Sequence, residues 1–282
     1  MAKGSRKPKA QEQPEESHDE EIVQDSEGSK VSEGSEGSEG SQEQEGSEET
    51  MDVSAFAEGI RTPFSMAVAS KRNTGKTLLI SALIREMLAR QQVKQVLVMS
   101  QTVHVNRDYW FLPERMRQPF SEDVIKKLMD RQAAIKKEER DQILLVLDDV
   151  LSDKEAEKSR FIKRLFTLGR HYDINVVLIS QTSNVALSPG IKQNADYIVY
   201  SRLNRYQLAS LWESITNMDK RDFIAYSEAN NKNYTFLVVD NTSQSNNPAD
   251  FLLKVKVTSK EAEQISKEET ESEDASSSES EW

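Results

Sequence analysis

Short aliphatic runs alternate with amphipathic segments along the middle of the chain, whereas both ends are polar. Five runs predict buried strands, at residues 64–70, 94–100, 143–149, 174–182 and 195–202. Apolar residues at helical spacing predict helices over residues 77–90, 121–140, 158–172, 206–216 and 220–230, with Ser121 as an N-cap. Two further apolar runs, 234–240 and 251–257, predict a closing hairpin. This alternation predicts an α/β domain with a mainly parallel central sheet.

The two ends of the chain lack the apolar residues that a folded core needs. Residues 32–40 read "SEGSEGSEG", and the last residues are rich in Ser and Glu. Such segments cannot offset their ordering entropy by burial. The sequence therefore predicts a disordered acidic tail over 1–52, an ordered domain over 53–258 and a second disordered acidic tail over 259–282.

Charge divides the chain in the same way. The protein carries a net charge of −11; residues 1–52 hold 5 basic and 16 acidic side chains, and residues 259–282 hold 2 and 9. The middle is therefore basic, with 30 basic and 23 acidic side chains. A basic domain can attract phosphate backbones, but taken alone this charge favours an ordinary solvated surface. There is no cysteine, and no apolar run reaches the ~18–20 residues of a membrane span, so we expect no membrane partner.

The motif "SKRNTGKT" lies between the first predicted strand and the first predicted helix. It fits the phosphate-binding pattern G-x-x-x-x-G-K-[ST], except that Ser70 replaces the first glycine. Strand–loop–helix is the context in which loop N–H groups and a helix N-terminus surround phosphates. We expect Lys76 to reach the β- and γ-phosphates of ATP and the Thr77 hydroxyl to bind Mg²⁺. The predicted nucleotide-binding residues are Ser70, Lys71, Arg72, Asn73, Thr74, Gly75, Lys76 and Thr77.

Two carboxylates end the aliphatic run "ILLVLDD", in the pattern of a Walker B strand. Asp148 is predicted to hold Mg²⁺, directly or through water. Asp149 is predicted to orient or deprotonate the attacking water, a place that Glu usually takes. Both could instead cap a following helix.

A third strand, "VVLISQT", ends in Gln181, which is placed to sense the γ-phosphate or position water. The alternative is a plain transition from strand to loop.

Several segments in this order resemble a known group of motor proteins. "GRHYDINVVLISQT" is similar to the segment of the FtsK/HerA superfamily in which an arginine precedes a strand ending in Gln. Together with "SQTVHVNRDYWFLP", "ILLVLDD" and "YTFLVVD", it resembles the poxvirus-type genome packaging ATPases of large eukaryotic DNA viruses. The resemblance covers roughly residues 64–240 and implies a RecA-like P-loop ATPase fold. It departs from the family pattern at Ser70 and Asp149.

The resemblance implies a homo-oligomeric ring that pumps double-stranded DNA, with ATP bound between neighbouring subunits. It also implies an arginine finger supplied in trans, and Arg170 matches that position best. A surface arginine near a helix C-terminus is an equal reading of Arg170, and Arg202 and Arg205 are weaker candidates. His104, Asn106 and Arg107 follow the second strand, near substrate or an adjacent subunit, or in a structural loop.

The predicted function is an ATP-driven double-stranded DNA translocase that packages a viral genome, with capsid proteins as further partners. The predicted place of action is the viral assembly site inside the host cell, in cytoplasm or nucleus, or the virion. Two alternatives remain open: another FtsK/HerA-type DNA motor, such as a helicase or segregation ATPase, and a nucleotide-gated interaction protein without motor activity.

Overall fold

A computed structural model describes residues 50–105, 107–150, 159–181, 187–214, 218–230, 232, 234–259 and 261–263. Within these ranges the strands are β1 (Thr50–Met51), β2 (Ser65–Ser70), β3 (Gln95–Ser100), β4 (Arg117–Gln118), β5 (Ile143–Asp148), β6 (Ile174–Ser180), β7 (Tyr197–Ser201), β8 (Thr235–Asp240) and β9 (Leu252–Lys256). The helices there are α1 (Val53–Gly59), α2 (Lys76–Ala89), α3 (Glu122–Ala134), α4 (Arg160–Leu168), α5 (Pro189–Lys192), α6 (Arg205–Trp212), α7 (Lys220–Asn230) and α8 (Pro248–Phe251). Short 3₁₀ turns lie at Arg107–Tyr109, Glu114–Met116, Lys137–Glu139 and Gly169–Tyr172.

All of these strands join one sheet in the order β1-β9-β8-β7-β2-β6-β5-β3-β4. The pairs around β2 are parallel, and only the two pairs that include β8 are antiparallel. The strand carrying the P-loop therefore lies in the middle, between β6 and β7. The carboxyl ends of β2, β3, β5, β6 and β7 meet at one edge, where parallel α/β sheets place their ligands.

Apolar side chains cover both faces of the sheet, which explains why the central strands read as continuous aliphatic runs. Met66 and Val68 of β2 face a core that includes the helix α2 residue Leu83. Ala67 and Ala69 face the opposite core, which includes Phe166 of helix α4. This alternation produces three layers, with helices on both sides of the sheet.

The predicted α/β fold with a mainly parallel sheet is confirmed by this topology. All five predicted strands and the closing β8–β9 hairpin are present, and Ser121 caps helix α3 by accepting a hydrogen bond from Val124 N. Strands β1 and β4, two residues each, were not predicted. A pair of residues is too short to show a periodic pattern, so only pairing with the sheet edge reveals it.

The predicted boundaries of the acidic tails are wrong for a few residues. Thr50 and Met51, assigned to the first tail, form β1 and pair in parallel with Lys254 and Val255. Asp52 caps helix α1, its side chain accepting a 2.7 Å hydrogen bond from Ala55 N. At the other end, the Glu261 carboxylate accepts hydrogen bonds from Val53 N (3.2 Å) and Thr258 N (2.5 Å). These contacts tie both ends of the domain to one another. Residues 1–49, 260 and 264–282 of the predicted tails lie outside the described residues.

Candidate nucleotide site

The motif "SKRNTGKT" forms a tight loop between β2 and α2. Ser70 ends β2, and Lys76 begins α2 with Gly75 as its N-cap. Gly75 has φ +86° and Asn73 has φ +56°, two left-handed conformations that Gly and Asn adopt most readily. Ser70 is not among the described residues with positive φ. Its backbone therefore does not show the strain in φ that we would expect where serine replaces a glycine.

Buried side chains within the loop stabilise its conformation through hydrogen bonds. Ser70 and Thr74 are buried, and their hydroxyl groups hydrogen-bond to each other. Thr74 Oγ1 also donates to the Lys71 carbonyl at 2.9 Å, and Ser70 Oγ donates to the same oxygen at 3.2 Å. Serine at the loop entry thus holds the loop together, while the Lys71 side chain is exposed to solvent.

A cavity of about 460 Å³ opens above the loop at the carboxyl edge of the sheet. The described residues that line it are Arg72, Asn73, Gly75, Lys76, Thr77, Leu78, Thr102, Asp108, Asp148, Asp149 and Gln181. The structure therefore brings together five of the eight predicted loop residues, both Walker B carboxylates and the predicted sensor glutamine. Ser70, Lys71 and Thr74 support the loop without lining the cavity.

Asp148 is a buried carboxylate, with 6% of its surface exposed. Burial raises its pKa to about 6, against the opposing effects of a hydrogen bond from Tyr109 and the charge of Lys76. Asp149 and Asp108 add negative charge that favours the protonated form. Tyr109 O–H donates to Asp148 Oδ2 at 2.8 Å, and burial raises the pKa of this phenol well above its usual value.

The oxygen-bearing side chains at the base of the cavity are suitable ligands for Mg²⁺. The hydroxyl-bearing Thr77 and the carboxylate of Asp148 line the same cavity, and oxygen ligands of this kind suit this cation. Burial disfavours the ionised form of Asp148, and a divalent cation would stabilise it in addition to the charge of Lys76. Within the described residues no cluster of three or more metal-binding His or acidic side chains occurs.

Asp149 belongs to a chain of hydrogen bonds that crosses the cavity. Gln181 Nε2 donates to Asp149 Oδ2 at 3.0 Å, and Arg72 Nε donates to Gln181 Oε1 at 2.5 Å. Asp149 itself has φ +52°, and its N–H donates to the Ile179 carbonyl of β6. The P-loop, the Walker B strand and strand β6 are thus connected through Arg72, Asp149 and Gln181.

Arg170 lies away from this cavity. It precedes β6, at the amino edge of the sheet, and its Nη1 forms a 2.8 Å ion pair with Asp196 Oδ1. The Arg170 side chain is 46% exposed, and Asp196 also accepts hydrogen bonds from Ser65 N and Oγ. In its own subunit Arg170 therefore cannot reach the phosphates. Its role as a trans finger stays a prediction.

The other basic candidates occupy different places. Arg205 is paired with Glu228 at 2.7 Å, and Arg202, with φ +53°, follows β7 at the carboxyl edge. His104 and Arg107 are exposed beyond β3, whereas Asn106 lies outside the described residues. In the part of the chain that the structure describes, no helix combines the length and apolar character of a membrane span.

Besides Leu78 of helix α2, the sequence prediction missed three residues at or beside the cavity: Thr102 and Asp108, which line it, and Tyr109, which contacts Asp148. All three lie between β3 and β4, in the segment "SQTVHVNRDYWFLP". The only sequence signal was their position after a buried strand. Nothing in the spacing revealed that Tyr109 folds back under the Walker B carboxylate.

Comparison with known proteins supports the resemblance. Residues 55–249 match the family model described as Poxvirus A32 protein. An uncharacterized protein, 075L, of Invertebrate iridescent virus 6 is 29% identical over 188 residues, covering 64% of this chain and 72% of the relative. Uncharacterized protein 015R of Frog virus 3 (isolate Goorha) is 25% identical over 189 residues, covering 64% of this chain and 58% of the relative.

Solved structures share the fold at low sequence identity. The genome packaging NTPase B204 of Sulfolobus turreted icosahedral virus 2, in complex with ATP-γ-S, matches with a TM-score of 0.51. It is 15% identical, and the match covers 70% of this chain and 99% of that one. The same protein in complex with AMPPCP matches with a TM-score of 0.50 at 16% identity, over 69% of this chain and 98% of that one. The predicted kinship with poxvirus-type ATPases and the predicted fold are both confirmed.

Proposed function

The chain belongs to the Poxvirus A32 protein family, and we propose that it is an ATP hydrolase that moves double-stranded DNA into a viral capsid. One observation carries this proposal: a P-loop, a Walker B carboxylate pair and a polar strand end converge on one cavity. That is the set of groups that phosphoryl transfer from ATP to water requires. B204, with the same fold, is a genome packaging NTPase that was solved with ATP-γ-S.

The loop binds the triphosphate. Backbone N–H groups at the start of α2 point at the phosphates, and Lys76 places a cation beside the β- and γ-phosphates. Thr77 and Asp148 are the residues that would hold Mg²⁺, which neutralises charge on the phosphates when bound. Tyr109 fixes the orientation of the Asp148 carboxylate through its 2.8 Å hydrogen bond to Oδ2.

Asp149 orients the attacking water. Its Oδ2 accepts from Gln181, which restricts the orientation of the carboxylate toward the water. Gln181 is in turn held by Arg72. Arg72 is the exposed loop cation nearest to Gln181 and Asp149. If Arg72 left Gln181 to contact a γ-phosphate in the cavity, nucleotide binding would be linked to the position of Asp149.

Translocation requires more than one subunit in this proposal. Arg170, at the far edge of the sheet, would complete a neighbour's site in a homo-oligomeric ring. The basic middle of the chain would face DNA phosphates, and capsid proteins would anchor the ring at the viral assembly site in the infected cell.

The decisive experiment compares ATP turnover with and without double-stranded DNA. Purified protein should hydrolyse ATP with Mg²⁺, faster with double-stranded than with single-stranded DNA of equal length. Lys76→Ala, which removes the phosphate-binding cation, is the matched inactive control. Particle imaging of the same samples should show rings.

Other outcomes separate the rival functions. If the protein binds ATP but its rate of ATP turnover is the same with and without DNA, the result supports a nucleotide-gated interaction protein and refutes the motor function. Unwinding of a forked duplex, without movement along blunt DNA, supports a helicase of the same superfamily. Turnover equal in Lys76→Ala and wild type overturns the P-loop assignment itself.

A further inference from the structure

An aromatic ring lies directly on the P-loop. A Cβ atom built on Gly75 would stand 2.6 Å from Cδ1 and 3.1 Å from Cε1 of Tyr234, and the three atoms nearest to it all belong to this ring. Gly75 is the N-cap of α2 and lines the phosphate cavity. The ring therefore covers the flank of the loop at the point where phosphates approach closely.

Burial does not explain why the Tyr234 ring lies there. Tyr234 is 56% exposed, among the most exposed large apolar residues of the described chain. Its φ is +60°, a conformation rare for an aromatic residue. Two backbone hydrogen bonds hold the turn, from Thr235 N to the Lys232 carbonyl and from Val257 N to the Tyr234 carbonyl. Strained backbone that the surrounding structure enforces is concentrated at ligand sites.

The position of Tyr234 along the sheet edge matches one end of a nucleotide. Asp149 and Gln181, proposed to act at the γ-phosphate, follow β5 and β6, on one side of β2. Tyr234 precedes β8, on the other side of β2, beyond β7. A triphosphate is a linear group. When its γ end lies beside Asp149 and its β-phosphate beside Lys76, the nucleoside extends toward β7 and β8.

We propose that Tyr234 is the platform on which the base of the bound nucleotide stacks. This rests on the proposed nucleotide site, and it names what that site takes: a nucleoside triphosphate bound through the aromatic face of its base. Stacking of a base on an aromatic side chain tolerates different bases because every base has a π face. ATP and GTP should therefore bind with similar affinity, and inorganic tripolyphosphate, which has no base, should gain nothing from Tyr234.

The test measures affinity by calorimetry, with Mg²⁺, for ATP-γ-S and for tripolyphosphate. Tyr234→Ala should weaken ATP-γ-S binding about tenfold and leave tripolyphosphate binding unchanged. Tyr234→Phe keeps the stacking face and should bind ATP-γ-S within about twofold of wild type. Tyr206→Ala is the matched control, since this tyrosine on α6 is 81% exposed, does not line the cavity and contributes none of the atoms nearest to a Cβ on Gly75.

Two results would overturn the proposal. Equal loss of both ligands in Tyr234→Ala means that the ring only supports the loop, and an unchanged affinity for ATP-γ-S means that the base lies elsewhere. Failure of the proposed function would give a different result. The wild-type protein would bind neither ligand, or its affinities for both ligands would equal those of Lys76→Ala. Thermal melting of each variant without ligand establishes that it is folded. If Tyr234→Ala does not fold, Tyr234→Leu, which keeps an apolar side chain but has no aromatic face, takes its place with the same expected result.

Discussion

Tyr109 and Asp148 are 39 residues apart in sequence, yet the phenol donates a 2.8 Å hydrogen bond to the carboxylate inside the core. This bond is one of the interactions that keep the buried Asp148 ionised, because burial alone favours its protonated form. Removing the Tyr109 hydroxyl leaves the Asp148 carboxylate without this hydrogen-bond donor, in a position that water reaches poorly.

Tyr109→Phe should therefore weaken binding of Mg²⁺ with ATP-γ-S. The loss of one hydrogen bond to a charged group is worth about 1.5–3 kcal/mol, so we expect an effect of roughly tenfold or more. Calorimetry with and without Mg²⁺ measures it. Phe keeps the ring volume, and binding without Mg²⁺ should change little. An equal loss with and without Mg²⁺ would show that Tyr109 shapes the loop rather than the metal ligand.

Asp148→Asn should change how stability depends on pH. In the folded protein the pKa of Asp148 is raised to about 6, above its unfolded value of about 3.9. The unfolded carboxyl thus loses its proton first, and stability falls as pH rises from about 4 to about 6. Two pKa units correspond to roughly 3 kcal/mol, and Asn at this position removes that loss.

Denaturant unfolding in EDTA at pH 5 and pH 8 measures this effect. The free energy of unfolding of Asp148→Asn should exceed that of wild type at pH 8, by more than at pH 5. With Mg²⁺ and ATP-γ-S the order should reverse, because the wild-type carboxylate then gains its cation. A wild-type advantage at pH 8 in EDTA would refute the account of Asp148 as a carboxylate destabilised by burial.

Asp149→Asn and Gln181→Ala should spare nucleotide binding and slow turnover. A general base contributes about 10²–10⁴-fold, so Asp149→Asn should lose activity in that range. Gln181 acts through Asp149, as a positioning residue, and Gln181→Ala should lose less. The double variant tests the coupling: its loss should be close to that of Asp149→Asn alone, since the two side chains work as one unit. Additive losses would show that they act independently.

Arg170→Ala should leave one subunit's nucleotide affinity unchanged but reduce turnover in the assembled protein. Trans arginines contribute about 10³–10⁵-fold in activated GTPases. Mixing Arg170→Ala with Lys76→Ala subunits should restore some activity, because a mixed interface can join an intact Arg170 to an intact P-loop. Asp196→Asn, which weakens the ion pair but keeps the arginine, is the structural control. No recovery, with mixing verified, would leave Arg170 its role as a partner of Asp196.

Removal of the N-terminal acidic segment should strengthen binding to double-stranded DNA. Residues 1–52 hold 16 acidic side chains, which compete with DNA phosphates for a basic surface. The cut belongs after residue 49, because Thr50 and Met51 pair with β9 and Asp52 caps α1. The gain should shrink as salt rises and the Debye length falls from ~10 Å at 0.1 M. Equal DNA affinities at low salt would exclude this competition and leave the motor proposal intact.

The sequence by itself determined the local elements and the chemistry of the site. Short aliphatic runs bounded by polar segments indicate strands buried on both faces, and a GKT motif between such a strand and an amphipathic helix indicates a P-loop by its local context. Asp148, Asp149 and Gln181 were found for the same reason, since each ends or follows a buried strand. Parallel pairing then brings such ends to one edge of the sheet.

Only the tertiary structure decided which side chains meet across that edge. The Tyr109–Asp148 bond, the Arg72–Gln181–Asp149 chain and the Tyr234 ring on Gly75 join residues from different strands and loops. Sequence periodicity reports which face of an element is buried; it carries no information about strand order or about the path of an irregular loop. Arg170 shows the same limit: its place at the far edge, beside Asp196, follows from the parallel direction of β6 within the assembled sheet.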